Sequence, residues 1–300
     1  MIRAENLVKR FRGHDALRGL NVNVPEGSAY ALIGSNGAGK TTAIRIMMNL
    51  IEASDGSATV MGVDSRTLSP RELSRIGFVA ESQQMPKALT VRQYLDYLRP
   101  FYGKAWDRGL ETSLVRQMRL PEDRRIGELS HGMRMKCGLV CALAFRPRLL
   151  VLDEPLSGLD PLIRDEFVQG IAEQAGETTI LISSHEMNEI EGLLSHVGFI
   201  EDGRMLFEEP MSGLASRFRQ VCVTLAREAV RPVGVPPDWV DLRTMGNVLT
   251  FVDTRFAESG LGERIRAVLD EVREIDTEPM SLRSIFTAMA RHAAAVGGEL

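Results

Sequence analysis

A chain of 300 residues with 44% hydrophobic and 25% charged content is long enough for one sizeable core and a smaller second domain. Its net charge of -4 comes from acidic and basic residues interspersed throughout, so no long basic stripe is present to neutralise a nucleic-acid backbone, which argues against nucleic acid as the main partner. No run approaches the roughly 18 to 20 uninterrupted apolar residues of a bilayer span, and the charged start MIRAENLVKR lacks the apolar segment of a secretion signal, so a cytoplasmic location is expected.

The first thirty residues read as short strands, with LNVNV leading into a turn at Pro25, Glu26 and Gly27 and then the apolar run SAYALIG. That run ends in a glycine-rich loop and a helix, the opening of a parallel α/β sheet. Residues 34–42, GSNGAGKTT, fit G-x-x-x-x-G-K-[ST], with the apolar helix AIRIMMNLI behind them. Glycines let the backbone wrap a polyphosphate with its N–H groups inward, and the helix that begins here adds the positive end of its dipole. Gly34, Ser35, Asn36, Gly37, Ala38, Gly39, Lys40, Thr41 and Thr42 are therefore expected to hold ATP. Lys40 would reach its β and γ phosphates, and the Thr41 hydroxyl would ligate Mg²⁺.

IGFVA at 76–80 reads as a buried strand, whereas residues 86–146 carry helix-period patterning and read as a helical insertion. Tyr94, Tyr97, Phe101, Tyr102 and Trp106 crowd its start, and their helical spacing suggests packing for most and an exposed groove lining for the rest. RLLVLDE at 148–154 reads as a buried strand ending in two carboxylates, at the edge where ligands of open parallel sheets collect. Asp153 is suited to hold Mg²⁺ through its water shell, and Glu154 to orient and deprotonate a water. TTILISS at 178–184 and VGFIE at 197–201 complete the buried strands. Beyond Glu209 and Pro210 the character changes to strand-like VCVTLA and NVLTFVD followed by helical segments near 257–271 and 281–291, which places a domain boundary near 210. Cys137, Cys141 and Cys222 have no metal-ligand spacing and read as buried thiols of a reducing compartment.

The residues between and after the two phosphate-site motifs resemble the ABC ATPase superfamily over residues 1–210. LSHGM at 129–133 is similar to the family's LSGGQ signature, keeping Leu129, Ser130 and Gly132 with His131 and Met133 in place of a glycine and the glutamine; a helix, MRMKCGLVCALAF, follows. SGLD at 157–160, ending in Asp160, resembles the D-loop, His185 in ISSHEMNE the switch histidine, and Phe11 the adenine-stacking aromatic. Glu81, with Gln83 and Gln84 close behind, stands where the family usually has a glutamine approaching Mg²⁺ or water.

The resemblance implies an α/β fold of P-loop NTPase, ABC type: a mixed, mainly parallel sheet with an N-terminal antiparallel β subdomain and a helical insertion at about 86–146, followed by a small C-terminal α/β domain over 211–300. It implies an ATPase in which Lys40, Glu154 and His185 act on one nucleotide while Ser130, Gly132 and Asp160 complete the site of a second ABC cassette. Transmembrane permease subunits on separate chains are the implied partners, with the cassette peripheral on the inner face of the cell membrane and export the implied direction of transport. A soluble ABC ATPase of translation or DNA maintenance is the competing reading, but such relatives carry two cassettes or a long coiled coil. A non-hydrolysing binding module is a third, and would predict loss of Lys40, Glu154 or His185.

Overall fold

In a computed structural model that describes residues 1–173, 176–185, 190–230, 232 and 234–297, the chain forms two units, Met1–Glu208 and Glu209–Leu300. From the amino terminus the elements are β1 (Ile2–Phe11), β2 (His14–Val24), β3 (Ala29–Ile33), α1 (Lys40–Met47), β4 (Asp55–Val60), β5 (Val63–Asp64), α2 (Pro70–Leu73) and β6 (Ile76–Ala80). There follow α3 (Val91–Tyr102), α4 (Arg108–Gln117), α5 (His131–Leu143), β7 (Leu149–Asp153), α6 (Pro161–Ala172), β8 (Thr179–Ser184), β9 (His196–Glu201) and β10 (Arg204–Pro210).

β1 and β2 pair antiparallel with Phe11 opposite His14, leaving Arg12 and Gly13 as a two-residue turn, so this region holds two long strands where short ones were expected. β4 and β5 extend this sheet in the order β2-β1-β4-β5. The second sheet has the order β10-β9-β3-β8-β7-β6, and its β9-β3, β3-β8, β8-β7 and β7-β6 pairs are all parallel. β3, β7 and β8 are buried along their whole length, which is why they read as continuous apolar runs rather than as alternating ones. Placing β8 between β3 and β7 brings the segments that leave these three strands side by side at one edge of the sheet.

Helix α1 packs against β1, β2 and β4 of the first sheet and β7 of the second. Its Ala43, Ile44, Ile46 and Met47 join Leu7, Leu20, Val22, Val60, Val151 and Leu181 in one core. Full burial of each such aliphatic side chain contributes about 1.5–3 kcal/mol, so the helix that follows the glycine-rich loop is fixed from two sides.

Between β6 and β7 lie α3, α4 and α5. Thr90 and Gln93 form a reciprocal capping box at α3, and Asp107 caps α4. Tyr94 and Trp106 are buried, and Tyr102 stacks on Phe145 with ring centroids 4.0 Å apart. Tyr97 and Phe101 remain 56% and 67% exposed, in edge contact at 5.5 Å. Glu111 of α4 is 1% exposed. Its carboxylate accepts from Arg92 Nη1 at 2.8 Å, from Arg99 Nε at 2.8 Å and Nη2 at 2.6 Å, and from Trp106 Nε1 at 2.6 Å. Burial pushes this carboxyl up, but the hydrogen bonds from Arg99, Trp106 and Arg92 outweigh it and hold the group below the usual carboxylate range.

The second unit adds α7 (Met211–Arg217), β11 (Arg219–Leu225), β12 (Trp239–Met245), β13 (Val248–Asp253), α8 (Leu261–Arg266), β14 (Val272–Pro279) and α9 (Leu282–Gly297). Its sheet has the order β12-β13-β11-β14, and Val221, Val223, Leu249 and Phe251 pack with Leu261 and Ile265 of α8. The expected helix near 257–271 shrinks to α8, which starts only after Gly260, its left-handed N-cap at φ 84°, and is capped at Ala267. Cys137 and Cys141 are buried on α5, but Cys222 is only half-buried, contrary to expectation: strand alternation turns Val221 and Val223 into the core and Cys222 to the opposite face.

Glu111→Gln is expected to lower the unfolding free energy by about 3 kcal/mol in a denaturant titration, because two guanidinium groups lose their shared carboxylate. Since the carboxyl titrates lower in the folded chain than in the unfolded one, its contribution is present above the unfolded value of about 4.3 and is lost as pH falls through the lower folded value. The difference between wild type and variant should therefore narrow below about pH 4.

Candidate active site

The glycine-rich loop packs tightly against the backbone of β2 and β9. A Cβ on Gly34 would lie 2.3 Å from the Ile200 carbonyl oxygen, and one on Gly39 would lie 2.7 Å from that of Ala16. Gly39 also has φ of 108° as the N-cap of α1, a conformation that L side chains rarely adopt. The loop therefore keeps its shape only with glycine at these two places.

Lys40, first residue of α1, is 5% exposed. Its ammonium donates to the carbonyl oxygens of Gly34 at 2.7 Å and Ser35 at 2.9 Å. It also lies 3.0 Å from Glu154 Oε1, an ion pair without hydrogen-bond geometry. The next residue, Thr41, donates from Oγ1 to Asp153 Oδ1 at 2.9 Å. Asp153 closes β7, opposite Ser183 of β8, whose hydroxyl donates to the same Oδ1 at 2.8 Å and accepts from Glu154 N at 2.9 Å. Burial pushes the Asp153 carboxyl up and the neighbouring Glu154 charge adds to this, against the hydrogen bonds from Ser183 and Thr41.

Glu154 follows the strand with φ of 50°, and this left-handed residue turns its side chain back across the sheet edge. Its Oε2 lies 2.8 Å from His185 Nδ1, just beyond the end of β8. Lys40, Thr41, Asp153, Glu154 and His185 thus converge in one hydrogen-bonded and ionic cluster. Ser183, absent from the sequence-based set, is the residue that joins its two carboxylate positions. The available sign was a serine pair ending the apolar run TTILISS.

A second cluster lies where α5 and α6 begin. Ser130 caps α5 by accepting from Met133 N at 3.2 Å, which leaves its hydroxyl proton available. The helix begins at His131, two residues before the expected Met133, since Ser130 supplies the cap. Asp160 caps α6 through Ile163 N at 3.1 Å. Gly132 faces α6: a Cβ there would stand 2.7 Å from Ile163 Cγ2. His131 Nε2 lies 3.2 Å from the Ser157 carbonyl oxygen, and Ser157 Oγ donates to Glu81 Oε1 at 3.1 Å. Glu81 is exposed, with its N–H donating to the Asp153 carbonyl oxygen at 3.1 Å. Gln83 turns toward α5, its Oε1 3.6 Å from where a Gly138 Cβ would stand. Phe11, at the end of β1, is exposed, with the Lys9 ammonium 5.1 Å from its ring centroid.

Comparison with known proteins gives a family match to ABC transporter over residues 17–157. The daunorubicin resistance ATP-binding protein DrrA2 of Streptomyces coeruleorubidus is 38% identical over 219 residues, covering 71% of this chain and 68% of that protein. The lantibiotic transport ATP-binding protein SrtF of Streptococcus pyogenes is 34% identical over 214 residues, covering 71% of this chain and 92% of that protein. Among solved structures, the ATP-binding subunit of an ABC transporter matches with a TM-score of 0.64 at 25% identity, covering 71% of this chain and 91% of that one.

Gly39→Ala is expected to lower the stability of the folded chain by about 2 kcal/mol, through strain at positive φ and overlap with Ala16, and to weaken triphosphate binding by at least about tenfold. Thermal unfolding and calorimetric titration with ATP measure the two effects, and an alanine variant indistinguishable from wild type in both would contradict the cradle geometry.

Proposed function

Because this chain belongs to the ABC transporter family, we propose that it hydrolyses ATP with Glu154 as general base and so drives transport through membrane subunits carried on other chains. The observation that carries this reading is the Glu154 carboxylate, held between Lys40 and His185 at the end of a buried parallel strand. ATP binding and ATPase activity follow from the family; the assignment of residues is our own.

In this assignment the amides of residues 34–42 and the Lys40 ammonium grip the triphosphate, and Phe11 offers its ring face to the adenine. Thr41 Oγ1 and Asp153 Oδ1 are hard oxygen donors 2.9 Å apart. This donor set fits Mg²⁺. Thr41 and Asp153 would hold the ion, with Glu81 nearby, and when bound it neutralises charge on the β and γ phosphates. Glu154 takes the proton of a water as its oxygen attacks the γ phosphorus, and ADP leaves with the electron pair of the broken P–O bond. His185 holds Glu154 in place, and we assign it to steady the γ phosphate.

Ser130, Gly132 and Asp160 lie on the second cluster, and we assign them to the γ phosphate side of an ATP held by a second cassette. One chain then supplies two half-sites, and hydrolysis requires a dimer. Residues 1–210 make up the cassette, with 86–146 its helical subdomain and 211–300 a small accessory domain. No helix among the described residues is long and apolar enough to cross a membrane. We assign the membrane path to partner subunits, with this chain on the inner face, as in a transporter built from separate chains. Tyr97 and Phe101 form an exposed aromatic pair suited to such a partner. Outward transport is supported by the relatives named for daunorubicin resistance and lantibiotic transport.

Glu154→Gln is expected to bind ATP like wild type, to lose at least about a hundredfold in turnover, and to accumulate as an ATP-bound dimer in sedimentation. Lys40→Ala should lose ATP binding outright. Asp153→Asn should raise the magnesium concentration for half-maximal ATPase by about tenfold while leaving magnesium-free nucleotide binding in place. Hydrolysis by Glu154→Gln at the wild-type rate would remove Glu154 as the base.

A further inference from the structure

Two departures of this sequence from the LSGGQ-type pattern and its usual glutamine, His131 and Glu81, meet at one residue. Ser157 donates its N–H to the Glu154 carbonyl oxygen at 3.3 Å, donates its hydroxyl to Glu81 at 3.1 Å, and presents its carbonyl oxygen to His131 Nε2 at 3.2 Å. A carbonyl has no proton to give, so Nε2 of His131 carries it and donates. The same imidazole covers Gly158, with its Cδ2 3.9 Å from where a Cβ on that residue would stand. Gly158 has φ of 66°, so the loop turns at this point with no side chain of its own to brace it.

The contact does not stand alone. Just beyond it α5 and α6 approach closely enough at Gly132 that a Cβ would overlap Ile163, and Lys136 of α5, 4% exposed in its side chain, is paired with Glu166 of α6. The beginnings of α5 and α6 are therefore packed together on one side of the loop from Glu154 to Asp160, while Glu154 is fastened to Lys40 and His185 on the other. Between these two anchorages the loop backbone has one side-chain donor from α5, the imidazole of His131. A glycine at 131 would leave that carbonyl without it.

We propose that His131 is a positioning residue for hydrolysis: its Nε2–H fixes the Ser157 carbonyl, sets the path of the loop from Glu154 to Asp160, and through the Ser157 hydroxyl sets the place of Glu81. It touches neither the cradle of residues 34–42 nor the Thr41–Asp153 pair, so its removal alters turnover and leaves the capture of nucleotide by the chain's own cradle alone. This rests on the assignment of Glu154 as base.

The full-length chain tests it by steady-state ATPase and calorimetric ATP affinity for wild type, His131→Ala, His131→Gln and Glu154→Gln. His131→Ala is expected to lower kcat by about tenfold with the ATP Kd within about twofold of wild type, the loss of one hydrogen bond that positions reacting groups. Glutamine places an amide N–H near the position of Nε2, so His131→Gln should recover kcat to within about threefold of wild type. A purely structural histidine would show no such recovery. The inference is overturned if His131→Ala turns over like wild type, or if a folded His131→Gln is as slow as the alanine variant. An inactive Glu154→Gln beside a fully active His131→Ala removes only this inference; a fully active Glu154→Gln removes the base assignment and this inference with it.

Discussion

A lysine with a twentieth of its surface exposed is tolerated inside a protein only when its ammonium group is hydrogen-bonded and its charge is paired. Lys40 meets that demand with two carbonyl oxygens of the preceding loop and one carboxylate oxygen from the end of β7. The loop must therefore curl tightly enough to aim carbonyls back at its own helix. The strand two places across the sheet must end on an acid. Sheet order satisfies both conditions, because β8 sits between β3 and β7 and contributes Ser183 to one acidic neighbour and His185 to the other. The charges at the sheet edge are thus mutually supporting, and the removal of any one leaves the others in a poorly solvated place.

The glycine-rich loop and the carboxylate pair were legible in the sequence because each follows a fully buried strand, whose unbroken apolar run marks where the polar edge begins. IGFVA and LLVLD coincide with β6 and β7 for the same reason. β4, β5, β12 and β14 were not legible. DGSATV and VREIDTEP hold few apolar residues, and their strand state comes from pairing with β1 and β11 rather than from their own pattern. Within the site, Ser183 was hidden by its surroundings: a serine in a strand reads as filler until its neighbour across the ladder is known to be Asp153. The roles proposed for Ser130 and Asp160 rest on resemblance alone, since in this chain each caps its own helix.

Glu111 illustrates a different limit. On a helix such as α4 a lone glutamate reads as a solvated residue, and nothing local distinguishes it from Glu122. Its burial depends on two arginines of α3 and a tryptophan between the helices arriving at the same point. That convergence fixes α3 against α4, and α3 is the helix that presents Tyr97 and Phe101 outward. An ionic cluster inside the insertion thereby sets the orientation of an aromatic surface outside it.

The backbone at Glu154 carries a further implication. A side chain other than glycine at φ of 50° costs of order 1 kcal/mol, and aspartate or asparagine would occupy that region with less penalty. Either of them is one methylene shorter than glutamate and would retract its oxygens by about 1.5 Å, away from both the imidazole and the ammonium. Reach, rather than local comfort, selects the residue type here. Lengthening the segment before it by one amino acid would relieve the torsion and swing the carboxylate out of alignment, so this corner of the protein should tolerate neither contraction of the side chain nor slack in the chain that bears it.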